Sequence, residues 1–321
     1  MARRLGLGLL GFPALPLVAE VGRAAEAAGF ESVWVAETRV TRDAVTTMTA
    51  MLLATRRLRV GSAAINAYTR GAALIAITWA AMEEAAPGRV ILGIGPGSYL
   101  PLAQQGYSFD RPLSRLEEMV QAVRAVWTQH PPVTFQGRFV RLNGLQPEIV
   151  PGTPPPIYLC VTGPRALQLA GEVANGVVLN AFMPPAYVER ARRLLDRAAG
   201  GRFAGEIAGA LVVSLGDSAA EAAARVRPIL ATYLVHFPHL AKETGLDPDF
   251  LSTLRVTART GGLEATFDML PDRLVGRHAL CGTASDCRDR LEDYRRAGLQ
   301  LPILFPDPDG LPRVINELAS A

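Results

Sequence analysis

Apolar residues along the chain fall into two alternating rhythms. Short runs rich in β-branched residues suit strands buried on both faces, and longer stretches carry apolar positions at helical spacing. The clearest unit spans 58–97. Residues 58–65 and 89–94 read as strands, and 71–86, rich in Ala, Leu, Ile and Met, as the helix between them. Each strand breaks into small and polar residues: Asn66, Ala67, Tyr68 and Thr69 after the first, Gly95, Pro96, Gly97 and Ser98 after the second.

The rest of the chain repeats that unit. Residues 5–11 and 31–36 read as strands one and two, separated by a helix that Pro16 opens and Gly29 closes. Asp43 caps a helix running to about Arg56. After 97 a longer loop leads to Asp110 and Pro112, which start an amphipathic helix with Leu113, Leu116, Val120, Val123 and Trp127 on one face. Residues 133–142 alternate around Gln136 and Gly137, a small hairpin inserted before strand five. Strands five to eight follow at 157–161, 176–180, 207–215 and 301–305, with a capped helix at 283–297 before the last. From 218 to 270 the pattern stays helical for longer than one crossover needs, an insertion expected to act as a substrate-side lid. Eight strands alternating with helices predict an α/β protein, a (β/α)8 TIM barrel filling 1–321 as one domain with an insertion at about 218–270. A doubly wound open sheet is the competing arrangement.

Composition narrows the classes. No apolar run reaches the roughly 18 residues of a membrane helix. The opening residues MARRLGLGLLGFP resemble a signal peptide, but the run is short and lacks an Ala-x-Ala pattern, so it reads as the first strand of a cytoplasmic protein. A net charge of +3, spread over dispersed arginines, does not suit nucleic acid. Cys160, Cys281 and Cys287 form no CxxC pair and their odd number argues against a disulfide framework, with Cys160 expected as a small buried residue. His236 and His239 flank Pro238 without a carboxylate pattern, so surface or packing roles are expected and no metal site. Lys242 is the only lysine, in a polar stretch that reads as exposed, which disfavours Schiff-base and pyridoxal-phosphate chemistry.

On a barrel, function gathers where strands end. Here those ends are mostly glycine, amides and hydroxyls, and in the first half only Glu37 is an acid directly after a strand. That suits a flat cofactor held by backbone better than paired catalytic carboxylates. The glycines of 93–97 fit either a ligand cradle or an ordinary turn, without the dinucleotide fingerprint. Thr162, Gly163, Pro164 and Arg165 fit an anion site at a helix N-terminus, or simple capping.

Several stretches together carry a resemblance: VWVAETRVTRDAVTTMTAMLLATRRLRVGSAAINAYTRG, EEAAPGRVILGIGPGS, FDRPLSRLEEMVQAVRAVW, VTFQGRFVRL, IYLCVTGPRALQLAGEVANGVVL and CGTASDCRDRLEDYRRAGLQLPILF. In this order they resemble the luciferase-like flavin and deazaflavin oxidoreductases, and most nearly the coenzyme F420 branch typified by methylenetetrahydromethanopterin reductase. The resemblance implies a homodimeric barrel acting on a small-molecule substrate, with the deazaflavin at the carboxyl ends of the strands. It implies a non-proline cis peptide at Ala64–Ile65, Asn66 at the ring edge, Gly95, Pro96, Gly97 and Ser98 lining the ring, and Thr162 to Arg165 receiving the phosphate. Glu37 takes the place of a family acid near the ring, as ring contact or proton relay. Three departures bear on mechanism. The first strand offers no acid, Thr38 stands where the sugar-phosphate dehydrogenases carry histidine, and GIGPGS lacks their acid. The function expected is hydride transfer between coenzyme F420 and a small organic substrate. The alternatives are an FMN-dependent monooxygenase and a non-catalytic flavin-binding barrel.

Overall fold

A computed structural model describes residues 4–10, 13–37, 42–307 and 309–319. Gly11, Phe12, Thr38, Arg39 and Pro308, all in or next to the strand ends named above, lie outside them. The strands are β1 (Gly6–Leu9), β2 (Ser32–Val35), β3 (Arg59–Ser62), β4 (Ile65–Asn66), β5 (Val90–Gly95), β6 (Val133–Gln136), β7 (Arg141–Leu145), β8 (Ile157–Cys160), β9 (Gly176–Leu179), β10 (Glu206–Leu215), β11 (Leu280–Gly282) and β12 (Leu301–Pro306). Parallel pairing runs β1–β2–β3–β5–β8–β9–β10–β12 and returns to β1. The sheet therefore closes into an eight-stranded (β/α)8 barrel, and the open-sheet arrangement is excluded.

Side chains fill the barrel. Trp34, Ile91, Tyr158, Val178, Ala208, Leu301 and Ile303 form its interior cluster, distinct from the larger core between sheet and helices. Space for the aromatic rings comes from missing side chains opposite. A Cβ on Gly8 would lie 2.4 Å from the Phe305 ring. Tyr158 donates its hydroxyl to Glu206 at 2.8 Å, taking its polar tip out of the apolar interior.

Local chemistry sets several boundaries. Gly29 ends the helix Leu15–Ala28 at φ 93°. Asp43 accepts from the Thr46 N–H at 2.7 Å and starts Ala44–Ala54. Asp110, read with Pro112 as the start of the next helix, lies just before it and does not cap it. Arg111 holds the N-cap position of Pro112–Thr128 at φ 43°, and the Asp110 carbonyl instead accepts from Tyr68 Oη. The segment read as a long loop after 97 holds a short helix, Tyr99–Gln104, with Ser98 at its N-cap position. The hairpin β6–β7 forms as expected, antiparallel.

Between β10 and β11 the chain builds a helical layer of Ala219–His236, Pro238–Ala241, Pro248–Gly261 and Asp272–His278, with 3-10 turns at Lys242–Thr244 and Glu264–Met269. The pattern at 279–282 gave no strand, yet Leu280–Gly282 pairs with Val213–Leu215 of β10. Three residues are too few to show alternation, and only this long-range pairing makes them a strand. Among the described residues no helix is long and apolar enough to cross a membrane.

Candidate active site

The carboxyl ends of the strands surround a cleft of about 270 Å³. Ala63, Ala64, Ile65 and Asn66 form one wall, Gly95, Pro96, Gly97 and Ser98 the next, and Cys160, Val161 and Thr162 the third. Val178, Leu179, Asn180, Ala210 and Phe305 continue round the rim, with Glu37 also at the edge.

The first wall exists because β3 stops at Ser62. The Ala63–Ala64 peptide is cis, and the chain rejoins the sheet as β4. The resemblance placed this bond at Ala64–Ile65, one residue too late. Ile65 is already back in register opposite Ile94, so the bend is complete before it. Asn66 Oδ1 accepts from the N–H groups of Tyr68 and Thr69, both at 2.9 Å, and Nδ2 donates to Thr69 Oγ1 at 2.9 Å. The amide thus builds the turn that follows, while its flank borders the cleft.

The second wall depends on close approach of β3 and β5. Ser62 Oγ donates to the Gly93 carbonyl at 2.7 Å and accepts from its N–H at 3.0 Å. A Cβ on Gly93 would stand 1.7 Å from the Ser62 carbonyl oxygen. Gly97, at φ 74°, turns the chain out of β5 and lays the backbone of 95–98 along the cleft.

Glu37 is held on both oxygens. Oε2 accepts from the Ala44 N–H at 3.1 Å and from Arg70 Nη2 at 3.2 Å, and Oε1 faces Arg70 Nε at 3.4 Å. Arg70 also pairs with Asp43. These bonds fasten the chain after β2 to the start of Ala44–Ala54 and to the turn after β4.

Of the four residues expected at an anion site, only Thr162 lines the cleft, and Gly163, Pro164 and Arg165 lie beyond it. Gly163 is the N-cap of Pro164–Val173 and no side chain caps that helix, so the Thr-Gly-Pro run is not the capping pattern it resembled. Thr162 Oγ1 is buried without a hydrogen bond of good geometry. Its polar neighbour is the Tyr187 hydroxyl, which accepts from the Gly163 N–H at 3.2 Å. Burial pushes Tyr187 up to about 12, against the smaller opposing pull of that bond, so it remains a neutral hydroxyl. Beside it, Arg190 lies over the Tyr187 ring at 5.0 Å and pairs with the buried Glu243.

A profile of the luciferase-like monooxygenase family matches residues 6–301. The chain belongs to that family. It is 29% identical over 290 residues to the 5,10-methylenetetrahydromethanopterin reductase of Methanolobus tindarius, covering 88% of this chain and 87% of that one. In fold it is similar to the coenzyme F420-dependent tetrahydromethanopterin reductase of Methanopyrus kandleri, with a TM-score of 0.85, 21% identity and 99% of both chains covered. It is also similar to an F420-dependent secondary alcohol dehydrogenase solved with an F420-acetone adduct, with a TM-score of 0.79, 22% identity and full coverage of both.

This luciferase-like barrel brings residues to its cleft that spacing alone did not mark. His239 and Leu240, from the short helix Pro238–Ala241, reach the mouth. His239 is exposed there, and burial of part of the ring together with Lys242 holds its imidazole below the ordinary 6.5. Lys242 is itself exposed, as its polar surroundings suggested. Cys160 is half-buried on the cleft wall, and desolvation pushes its thiol well above the usual cysteine range. Among the described residues no cluster of histidine, cysteine or carboxylates could hold a metal.

Proposed function

We propose that this protein is an oxidoreductase that transfers a hydride between coenzyme F420 and a small organic substrate. The observation that carries the reading is likeness along almost the whole chain to a methylenetetrahydromethanopterin reductase, and in fold to enzymes named for F420, combined with a cleft walled by backbone and small side chains. Such a cleft fits a flat deazaflavin. Backbone at Ala63–Ala64 and Gly95–Gly97 can approach a ring closely, and Ile65, Val178, Leu179 and Phe305 offer apolar cover.

The bound deazaflavin supplies a two-electron hydride donor or acceptor. The chain's part is to hold and dry it. Ala64, Ile65 and Asn66 support one side of the ring, and Gly95, Pro96, Gly97 and Ser98 the other. Thr162, the Gly163 N–H region, the start of Pro164–Val173 and Arg165 receive the anionic tail, where free N–H groups and the helix dipole favour negative charge. Thr162 Oγ1, buried without a good partner, and the neutral Tyr187 hydroxyl fit that role. Glu37, engaged by Arg70 and Ala44, positions the wall after β2.

FMN is the alternative cofactor, since the family takes its name from monooxygenases. A flavin-binding barrel without catalysis is the third reading. We infer a cytoplasmic homodimer acting on small molecules. The test is parallel titration of the protein with oxidised F420 and with FMN, followed by tryptophan fluorescence. Selective F420 binding is expected, with hydride transfer to or from 5,10-methylenetetrahydromethanopterin or a secondary alcohol in the next assay. Selective FMN binding with oxygen consumption overturns the reading, and binding without turnover of any substrate favours the non-catalytic barrel.

A further inference from the structure

A second groove, of about 720 Å³, lies at the opposite end of the barrel from the cleft. It forms where the helix Ala72–Ala85 turns into β5 and where residues 148–153 approach β8, at the amino ends of those strands. Glu83, Glu84 and Glu148 line it, and no lysine, arginine or histidine does. Arg89, the residue after Gly88, is turned elsewhere and donates to the carbonyls of Leu52 and Leu58 and the hydroxyl of Thr55.

Separate observations point to a cation here. Glu83 is only 8% exposed. Its Oε1 accepts from the Gly88 N–H, while Oε2 is buried with no hydrogen-bond partner. A buried carboxylate oxygen costs free energy until a donor meets it. Glu83 and Glu84 also stand in the last turn of Ala72–Ala85, which holds no basic residue, although that end of a helix favours positive charge. Glu84 and Glu148 are exposed, and neither carboxylate has an ion pair or hydrogen bond among the described residues.

The arrangement also selects the kind of cation. The three carboxylates do not converge into a set that could hold a metal ion. The same groove offers apolar surface at Pro87, Pro151, Ile149 and Val150, the last two 41% and 49% exposed. A ligand whose ammonium groups are separated by methylene segments meets both features.

We propose that this groove binds a linear aliphatic polyamine. One ammonium group pairs with Glu83, the others pair with Glu84 and Glu148, and the methylenes lie against Ile149 and Val150. The site is remote from the cleft, and the proposal does not depend on which cofactor the cleft takes.

The experiment is calorimetric titration of the full-length protein with spermidine in about 0.15 M NaCl, where loose surface attraction is screened. Saturable binding of one spermidine per chain is expected. Glu84→Gln and Glu148→Gln, both at exposed positions, should each weaken it about threefold. Glu83→Gln should weaken it about tenfold or more. Should Glu83→Gln fail to fold, the two exposed variants carry the test. Independently, the methyl NMR signals of Ile149 and Val150 should shift with spermidine and stay in place with magnesium chloride at matched ionic strength. Absence of saturable binding, affinity unchanged in every folded variant, or equal displacement by magnesium overturns the proposal.

Discussion

At Gly93 a methyl group would meet the Ser62 carbonyl oxygen, and backbone on both sides has no rotamer with which to yield. Gly93→Ala is expected to cost about 3 kcal/mol or more, read as a lower midpoint in urea unfolding. Glu37 poses a different question, because the resemblance offers it a chemical role while its bonds describe an anchor. Glu37 and Arg70 are 15% and 17% exposed, so the pair is largely desolvated. Glu37→Gln keeps an acceptor for the Ala44 N–H and loses the ion pair, and a stability loss of about 1–3 kcal/mol is expected. If Glu37 is an anchor, the pH profile of turnover keeps its shape in this variant. A lost limb in that profile identifies a proton relay instead.

The hairpin β6–β7 shows an element held by one side chain of another. Glu118, on Pro112–Thr128, accepts from the N–H groups of Arg138, Phe139 and Val140 at 3.0, 2.7 and 3.0 Å. Burial opposes its ionisation, but the three donors outweigh that and hold Glu118 below its ordinary 4.5. A carboxyl depressed in the folded state stabilises above the unfolded value and loses that contribution as pH falls through the folded one. Glu118→Gln is therefore expected to lower stability by about 1 kcal/mol at neutral pH, with the difference from wild type fading as pH drops below 4.5, measured by urea unfolding across a pH series. What could be read of the elements in sequence follows the range of the forces that make them. Asp43 and Gly29 act within one helical turn, so their caps are visible in a few letters. Thr283 and Asp286 likewise form a capping box on Ala284–Arg296. Strand β11 and the helix Tyr99–Gln104 depend on distant partners or on a proline-interrupted six-residue stretch, and neither leaves a local period. The cleft divides in the same way. Glu37, Asn66 and Gly95–Ser98 follow directly from closure of the barrel, because residues after strands must meet at its rim. His239 arrives only through the path of the inserted layer.

For the molecule as a whole, two neighbouring helices are apolar on their outer side as well as their inner one. Ala44–Ala54 leaves Leu53 70% exposed, and Ala72–Ala85 leaves Leu74 and Ile77 at 48% and 42%. Such a face suits the expected homodimer. The wild-type protein should sediment as a dimer, and Leu53→Glu combined with Leu74→Glu as a monomer, while a monomeric wild type at all concentrations removes the dimer reading. The barrel wall has one further property. β10 is ten residues long, and it pairs with β9 through its first half and with β11 at its last three residues. The inserted layer thus leaves the wall at Leu215 and returns to it at Leu280–Gly282, with Gly282 beside Leu215. Departure at Leu215 and return at Leu280, which is opposite Val213, lie one strand spacing across and two residues along, about 8 Å apart. A segment whose two ends are fixed so close together behaves as an exchangeable cassette. It could be lengthened, shortened or grafted from a relative without moving the eight strands, so that the mouth of the cleft, where His239 and Leu240 stand, could be redesigned above walls left as they are.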